Sequence, residues 1–244
     1  MTAVNEPLVS VVVPVFNGAP FLAATLASVL AQDYPQRELI VVDDGSSDGS
    51  AEIAASVPGA IVLRQSQQGP AAARNAGIAA ARGSLISFLD QDDCWRPNKL
   101  SVQTGVMRAR PELGMTITGH RLFLEPGRTR PGWLRPDMLD RDLLGAMPGV
   151  LMVTRATFAQ IGTFDPANVN ASDVDWFLRA LDLGVAWAAI PQVLLDKRIH
   201  SENQSAQVES CHAGFLAAVR LSIARKRTGA QGRPPSQPPS ANGT

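Results

Sequence analysis

Three carboxylates lie within four positions, directly after a short apolar segment. Residues 85–89 are mostly apolar, and Asp90, Asp92 and Asp93 follow them. Such a run is typical of a parallel strand buried on both faces, and open α/β sheets bind ligands at the carboxyl ends of their strands. Three acids this close repel one another unless a cation lies among them. Carboxylates suit hard divalent ions such as Mg²⁺ or Mn²⁺, which often carry substrate phosphates.

The acidic segment also has a simpler interpretation, a solvated turn before the next helix, because Asp is a good helix N-cap. A second acidic pair, Asp43 and Asp44, ends the apolar segment 38–42. If the two strands are parallel and close, their acids share one rim, where one group can bind sugar hydroxyls or a base and the other a metal. Response-regulator receivers also collect acids at a strand rim, but their first acidic pair follows the first strand.

The end of the first strand argues against three nucleotide-binding or regulatory classes. That strand ends in Pro14-Val15-Phe16-Asn17, without the acidic pair of a receiver. No Gly-x-Gly-x-x-Gly follows it, which counts against a dinucleotide-binding domain, and the chain has no Walker phosphate loop.

Alternating strand and helix patterns position these acids. We expect strands at 9–14, 38–42, 60–63 and 85–89, and helices at 21–32, 50–56, 70–82 and 96–110, with Gly83 as the C-cap of the third helix. This alternation predicts an α/β fold with a parallel, doubly wound sheet. Residues 120–148 are rich in Arg, Gly and Pro and are expected to form loops over a site. Segment 150–153 has strand or helix character, 172–183 is an amphipathic helix, 185–190 a strand and 213–227 a last helix.

Composition favours a single soluble domain in a reducing compartment. The chain has 244 residues, 45% of them hydrophobic, and 22 Lys and Arg balance 22 Asp and Glu, so no global field draws it to nucleic acid. Two cysteines argue against a disulfide framework, and Cys94 is more readily a packing residue than a nucleophile. The first residues lack signal-peptide character, and no apolar stretch approaches the roughly 20 residues of a membrane span. We therefore expect a cytoplasmic protein.

Six motifs in order resemble the family 2 glycosyltransferases of the GT-A fold, which are inverting enzymes that use nucleotide-activated sugars. The similarity spans roughly residues 8–205. The motifs lie at 10–17, 41–48, 73–77 (Ala73-Arg74-Asn75-Ala76-Gly77), 89–97 (around Asp90-Gln91-Asp92-Asp93), 172–179 (beginning Ser172-Asp173-Val174-Asp175) and 198–205 (beginning Arg198-Ile199-His200). The resemblance implies a GT-A-like, mostly parallel sheet in a single domain and a divalent cofactor, Mn²⁺ or Mg²⁺.

The resemblance also implies roles for individual residues near the donor nucleotide. Asp44 would hydrogen-bond the base, for which a uracil N–H is a suitable donor, and Asp90 would contact the ribose or a metal-bound water. Asp43 is left open as a core-facing or capping acid. The residues implied in donor binding are Pro14, Asn17, Asp44, Arg74, Asn75 and Asp90.

Further residues are implied in metal binding and catalysis. Asp92 is the expected direct metal ligand, Asp93 an alternative because register within the cluster is open, and His200 a further ligand of the metal or diphosphate. Asp173 matches the family's general base, which accepts the proton of the acceptor hydroxyl. Asp175 is the rival base. Many family members have Glu where this chain has Ser172, which we expect to be the N-cap of the helix.

The resemblance implies a nucleotide-sugar-binding half (1–113) and an acceptor-binding and catalytic half (114–212). The sequence pattern beyond them predicts a basic C-terminal helix (213–228) and, from its low complexity, a disordered tail (229–244). The acceptor stays open among a glycan, a lipid-linked sugar, a peptide or a small molecule, and Trp133 is equally a sugar platform or a packing residue. The basic end of the last helix is a solvated end or a peripheral contact at the inner membrane face. Two alternative functions are a nucleotidyltransferase, which normally has a glycine-rich basic loop absent here, and a non-catalytic nucleotide-sugar-binding module.

Overall fold

The computed structural model describes residues 6–139, 141–168, 171–200, 203 and 208–228. Its strands are β1 (Val9–Val15), β2 (Arg37–Asp43), β3 (Ile61–Arg64), β4 (Leu85–Phe88), β5 (Cys94–Trp95), β6 (Met115–Leu124), β7 (Leu143–Leu144), β8 (Leu151–Thr154) and β9 (Trp187–Ile199). Its helices are α1 (Ala19–Leu30), α2 (Ser50–Ala55), α3 (Pro70–Ala80), α4 (Lys99–Ala109), α5 (Arg155–Ile161), α6 (Ser172–Asp182) and α7 (Val208–Thr228). Short 3₁₀ turns lie at Pro136–Met138 and Pro148–Val150.

The first half of the chain forms the parallel part of the sheet, in the order β3-β2-β1-β4. Every residue of β1 and β4 is buried, because helices cover both faces, and this explains their continuous apolar runs. The predicted α/β class and strand–helix alternation are confirmed. Since β1, β2 and β4 are parallel neighbours, their carboxyl ends meet at one rim, and Val15 of β1 lies beside Asp43 of β2.

The second half extends the same sheet with mixed directions. β8 pairs antiparallel with β4, β6 antiparallel with β8, β9 parallel with β6, and β5 antiparallel with β9. Both halves therefore share one sheet within the described residues, and the functional division at 113/114 stays a prediction. The antiparallel pairs were not expected from the sequence, because only the β-α alternation of the first half signals strand direction.

Some local predictions were wrong. β6 begins before residue 120 and runs into the segment predicted as loops. It was missed because its buried residues include Thr116, Thr118 and His120, so the strand lacks an apolar pattern. Gly83 does not cap α3, which ends at Ala80. A Cβ on Gly83 would lie 2.5 Å from the carbonyl oxygen of Leu8, so this glycine permits a close backbone approach instead.

The elements around the later site also differ in detail from the predictions. Ser172 is the first residue of α6 rather than its cap, a position held by Ala171. α7 begins at Val208, earlier than predicted. The predicted disordered tail, 229–244, lies outside the described residues. None of the helices that the structure describes is both long and apolar enough to span a membrane.

Two packing contacts fix the helices that border the rim. α3 lies so close to β1 that a Cβ on Gly77 would be 2.3 Å from Cγ1 of Val12. Four aromatic rings hold α5 and α6 against the sheet, with ring centroids 5.0–6.0 Å apart, namely Phe88, Phe158, Phe164 and Trp176. The indole N–H of Trp176 also donates to the carbonyl of Gly162 at 2.9 Å. The start of α6 is thereby held beside the rim.

Candidate active site

A pocket of about 720 Å³ opens at the carboxyl ends of β1, β2 and β4. Most residues predicted to take part in the site line it, although they come from distant parts of the chain. They are Pro14, Asn17, Asp44, Arg74, Asp90, Asp92, Asp173 and His200. Asn75 and Asp93 were also predicted to belong to the site, but they do not line the pocket.

The turn after β1 is tied to the ends of both neighbouring strands. Asn17 adopts a left-handed backbone (φ 50°), its N–H donates to Ser46 Oγ at 3.0 Å, and its Oδ1 accepts from the N–H of Ser47 at 2.9 Å. The Gln91 amide accepts from the N–H of Phe16 at 2.7 Å and donates to its carbonyl at 3.0 Å. These bonds hold one wall of the pocket in place.

Asp44 organises the loop that leads into α3. Its Oδ1 accepts from Gln65 Nε2 at 2.7 Å and from the N–H of Gln68 at 2.8 Å, while its Oδ2 accepts from the N–H of Gly69 at 2.7 Å. A carboxylate offers about four acceptor positions, so within the described residues one on Oδ2 has no donor and can serve a ligand. The neighbouring Asp43 is fully buried outside the pocket, where it accepts from the N–H of Ser46, and is therefore a core-facing, turn-capping acid.

Arg74 and Asp90 form an ion pair in the pocket wall. The Arg74 Nη2 to Asp90 Oδ1 distance is 2.6 Å, and Arg74 is almost fully buried. Burial acts to raise the pKa of Asp90, but Arg74 and Lys197 outweigh it, so the pKa is lowered and the carboxylate stays ionised. Asn75, by contrast, spends both ends of its amide on the backbone of Phe164, at 2.8 and 3.0 Å.

Asp92 meets the closing segment of the chain. Its Oδ2 lies 2.9 Å from His200 Nε2 and accepts from Asn203 Nδ2 at 2.9 Å. The His200 ring also packs on Phe21, with ring centroids 4.7 Å apart. The guanidinium carbon of Arg198 lies 5.0 Å from the centroid of the Phe21 ring. These contacts orient a carboxylate and an imidazole toward one point in the pocket.

Asp93 faces away from the pocket, toward β9. Its Oδ1 accepts from the N–H of Arg198 at 2.9 Å, and its Oδ2 lies 3.3 Å from Lys197 Nζ. Burial raises the pKa of Asp93 to about 7, and Asp92 and Asp90 add to the rise, while Lys197 opposes it. The sequence left undecided which of the three acids face the pocket. In the structure Asp90 and Asp92 do, and Asp93 does not.

Lys197 is a pocket residue that sequence reasoning missed. Burial acts to lower its pKa, but Asp93, Asp90 and Asp92 outweigh that effect and raise it. The available signal was a charged residue that interrupts an apolar strand directly before Arg198. That signal does not reveal that β9 pairs with β5 and so places the lysine beside the acids.

The two candidate bases occupy different environments. Asp173, at the start of α6, lines the pocket, and burial with a contribution from Asp90 raises its pKa, which Arg74 opposes. Asp175 lies outside the pocket lining and pairs with Arg179 at 2.8 Å and with Arg225 at 3.3 Å. The geometry thus brings Asp173, and not Asp175, to the acid cluster.

Two further candidates lie outside the pocket lining. Trp133 packs against a small apolar cluster that includes Leu122, Leu134 and Ile199, as a packing residue does. Cys94 is half-buried, and burial raises the pKa of its thiol, which disfavours the nucleophilic thiolate.

Acids and cations at the carboxyl rim of an α/β sheet, around a pocket of this volume, define an α/β protein that binds a small polar ligand. The model of the family described as "Glycosyl transferase family 2" matches residues 10–150. This chain belongs to that family and is a glycosyltransferase. The two alternative classes considered from the sequence are set aside by this finding.

Relatives in curated collections agree with this assignment. The chain is 28% identical over 207 residues to the putative teichuronic acid biosynthesis glycosyltransferase TuaG of Bacillus subtilis, covering 80% of each. It is 29% identical over 231 residues to an uncharacterized glycosyltransferase of Rickettsia typhi, covering 86% of this chain and 72% of the relative. It spans only 36% of another from Rickettsia felis, so some relatives are much longer.

Solved structures share the fold. The mannosyltransferase PcManGT of Pyrobaculum calidifontis, in complex with GDP-Man and Mn²⁺, superposes with a TM-score of 0.73 at 20% identity, covering 95% of this chain and 67% of that one. Residues 1–349 of TarS from S. aureus, in complex with UDP-GlcNAc, give 0.72 at 18% identity, covering 92% and 68%. The GT-A fold expected from the resemblance is confirmed.

Proposed function

We propose that this protein transfers a sugar, with inversion, from a nucleoside-diphosphate sugar to an acceptor hydroxyl, with Asp173 as the general base. The observation that carries the proposal is the convergence of Asp173, the Arg74–Asp90 ion pair and the Asp92–His200 pair on one 720 Å³ pocket. Such a pocket has acceptors for sugar hydroxyls, cations for a diphosphate and a base for the acceptor.

The environment of Asp173 supports its assignment as the base. An inverting transfer needs a carboxylate that removes the proton of the acceptor hydroxyl as its oxygen attacks the anomeric carbon. Burial raises the pKa of Asp173, which makes it a stronger base than an exposed carboxylate. The carboxylate of Asp175 already forms ion pairs with Arg179 and Arg225, and it does not line the pocket.

Asp92 and His200 fit a divalent metal only in part. A carboxylate oxygen and an imidazole nitrogen lie 2.9 Å apart at the pocket wall, a donor set that suits Mn²⁺ and tolerates Mg²⁺. Among the described residues, no group of three or more His, Cys, Asp or Glu side chains is arranged to hold an ion. The donor's diphosphate and water would supply the other ligands, as is common for such ions. A bound metal would neutralise charge on the leaving diphosphate.

Asp44 is the basis for our choice of the donor's nucleobase. Its free acceptor position on Oδ2 suits an N–H of uracil, which makes a UDP-linked sugar our preferred donor. Guanine also presents N–H donors, so GDP is the matched comparison. Tighter binding of UDP than GDP, lost in Asp44→Asn but not in Asp43→Asn, would support this donor.

Nucleotide-sugar turnover tests the proposal. The protein is incubated with UDP- and GDP-sugars, in EDTA and in Mn²⁺, and released nucleoside diphosphate is measured. NMR of the sugar product reports its anomeric configuration. We expect turnover with at least one donor, stimulated by Mn²⁺, and a product of inverted configuration. Retained configuration would refute the inverting mechanism, and no turnover with any donor would refute the proposed reaction.

We also propose a peripheral membrane contact through the exposed surface of α7, which would suit a lipid-linked acceptor. The helix exposes Arg220 and Arg227 together with four large apolar side chains, namely Phe215, Leu216, Leu221 and Ile223. Such a surface suits an anionic bilayer. Arg225 and Lys226 instead pair with Asp182 and fasten α7 to α6. Co-sedimentation with anionic but not neutral vesicles, reduced in Leu216→Ser/Ile223→Ser, tests this contact.

A further inference from the structure

Lys197 lies beside the acid cluster for which the sequence predicts a metal. The strand β9 pairs antiparallel with β5, with Cys94 opposite Asp196, so the next residue of β9 reaches the acid cluster. Lys197 Nζ lies 3.3 Å from Asp93 Oδ2, and the side chain, 18% exposed, lines the pocket together with Asp90 and Asp92. A fixed cation is therefore built into the cluster.

The charges of the cluster are nearly balanced by this lysine. Arg74 pairs with Asp90 at 2.6 Å and Lys197 with Asp93 at 3.3 Å, while Asp92 accepts from Asn203 and contacts His200. Two of the three acids thus pair with a lysine or an arginine of the pocket wall. The mutual repulsion of the acids is thus reduced by cations of the chain itself.

The ammonium group of Lys197 has N–H donors that are not used within the described residues. An ammonium carries three N–H donors, and within the described residues Lys197 makes one hydrogen bond, to Asp93. At 3.3 Å that bond is longer than the roughly 2.7–2.9 Å typical of charge-assisted bonds. The remaining donors are available to an anion in the pocket.

We propose that Lys197 is a diphosphate-binding residue, whose ammonium group donates to the donor's phosphate oxygens while Asp93 holds it in the pocket wall. The inference rests on the proposed function, because it needs a nucleoside diphosphate in this pocket. Lysine binds phosphate as a compact point charge and tolerates some change of position. Part of the affinity for a nucleoside diphosphate is then independent of a divalent ion.

Two variants separate this role from a purely structural one. Lys197→Met keeps much of the length and removes the charge, whereas Lys197→Arg keeps the charge, and Lys226→Met is a control with the same charge change on α7. Calorimetry with UDP and GDP in EDTA should show affinity lowered about 10- to 100-fold in Lys197→Met, the effect of one hydrogen bond to a charged group. Lys197→Arg should retain most of the affinity, and Lys226→Met all of it.

The same charge argument predicts an opposite effect on metal. Lys197→Met leaves the acids one positive charge short, so free Mn²⁺, followed by electron paramagnetic resonance without nucleotide, should bind more tightly than to the wild type. Unchanged diphosphate affinity in EDTA, or unchanged Mn²⁺ affinity, would overturn the assignment.

A measurement on the wild type guards against a variant that fails to fold. The chain has three lysines, Lys99, Lys197 and Lys226, so the lysine Cε signals of ¹³C-labelled protein are readily assigned. The Lys197 signal should move with UDP or GDP and not with the parent nucleoside. If nucleoside diphosphate binds and this signal stays in place, Lys197 is excluded while the proposed function stands. If neither diphosphate binds, with or without Mn²⁺, both fail.

Discussion

Gly77→Ala should reveal how closely α3 must approach β1 to hold Arg74 in the pocket. The added Cβ would lie 2.3 Å from Cγ1 and 3.0 Å from Cγ2 of Val12, which is fully buried on β1. Gly105→Ala is a matched control, because α4 has the same length of 11 residues and a Cβ at Gly105 meets nothing within 4 Å.

The expected magnitudes follow from two opposing terms. Replacing a helix-interior glycine with alanine gains about 1 kcal/mol at either position. Overpacking a core costs about 1–3 kcal/mol, and only Gly77→Ala pays it. Gly105→Ala should therefore be stabilised by about 1 kcal/mol, and Gly77→Ala should be about 1–3 kcal/mol less stable than Gly105→Ala. For a chain of this size the difference corresponds to a Tm lower by about 2–12 °C.

Urea and thermal unfolding of the two variants test the stability difference, and donor KM tests its effect on the site. A displaced α3 would weaken the Arg74–Asp90 ion pair, so KM should rise in Gly77→Ala and stay unchanged in Gly105→Ala. Equal stability of the two alanine variants would refute the close approach. A stability loss without a change in KM would separate the packing of α3 from the position of Arg74.

Asp173→Asn should preserve donor binding and lower transfer by about 10²–10⁴-fold, whereas Asp175→Asn should lower stability and leave kcat unchanged; the reverse result would move the base to Asp175. Because the pKa of Asp173 is raised, the transfer rate should fall as pH drops through that raised value, and a pH profile of an active Asp173→Asn should lack this acidic limb. Asp92→Ala should remove the Mn²⁺-dependent part of nucleoside diphosphate binding in calorimetry, with an unchanged circular dichroism spectrum. His200→Ala should weaken Mn²⁺ stimulation of turnover, and equal stimulation would exclude the imidazole as a ligand.

Elements with strong local signals could be predicted from the sequence. The apolar runs of β1, β2 and β4 are buried on both faces, and they form the rim that was expected to gather the acids. β6 could not be predicted in this way, since its buried positions include Thr116, Thr118 and His120, whose burial depends on the packing of neighbouring strands and helices around them. The antiparallel half of the sheet follows from pairings between distant segments, which local periodicity does not encode.

The candidate site divides along the same line. Residue types and their order determined the acid-rich rim, the family resemblance and the choice of Asp173, because these depend on local sequence. The tertiary structure decided which acids face the pocket, since the neighbouring side chains of Asp92 and Asp93 point to different partners, Asp92 to His200 and Asp93 to β9. It also brought Lys197 to the cluster from more than 100 positions away, through the pairing of β9 with β5. Long-range pairing sets such contacts, and it is a property of the whole sheet rather than of any one segment.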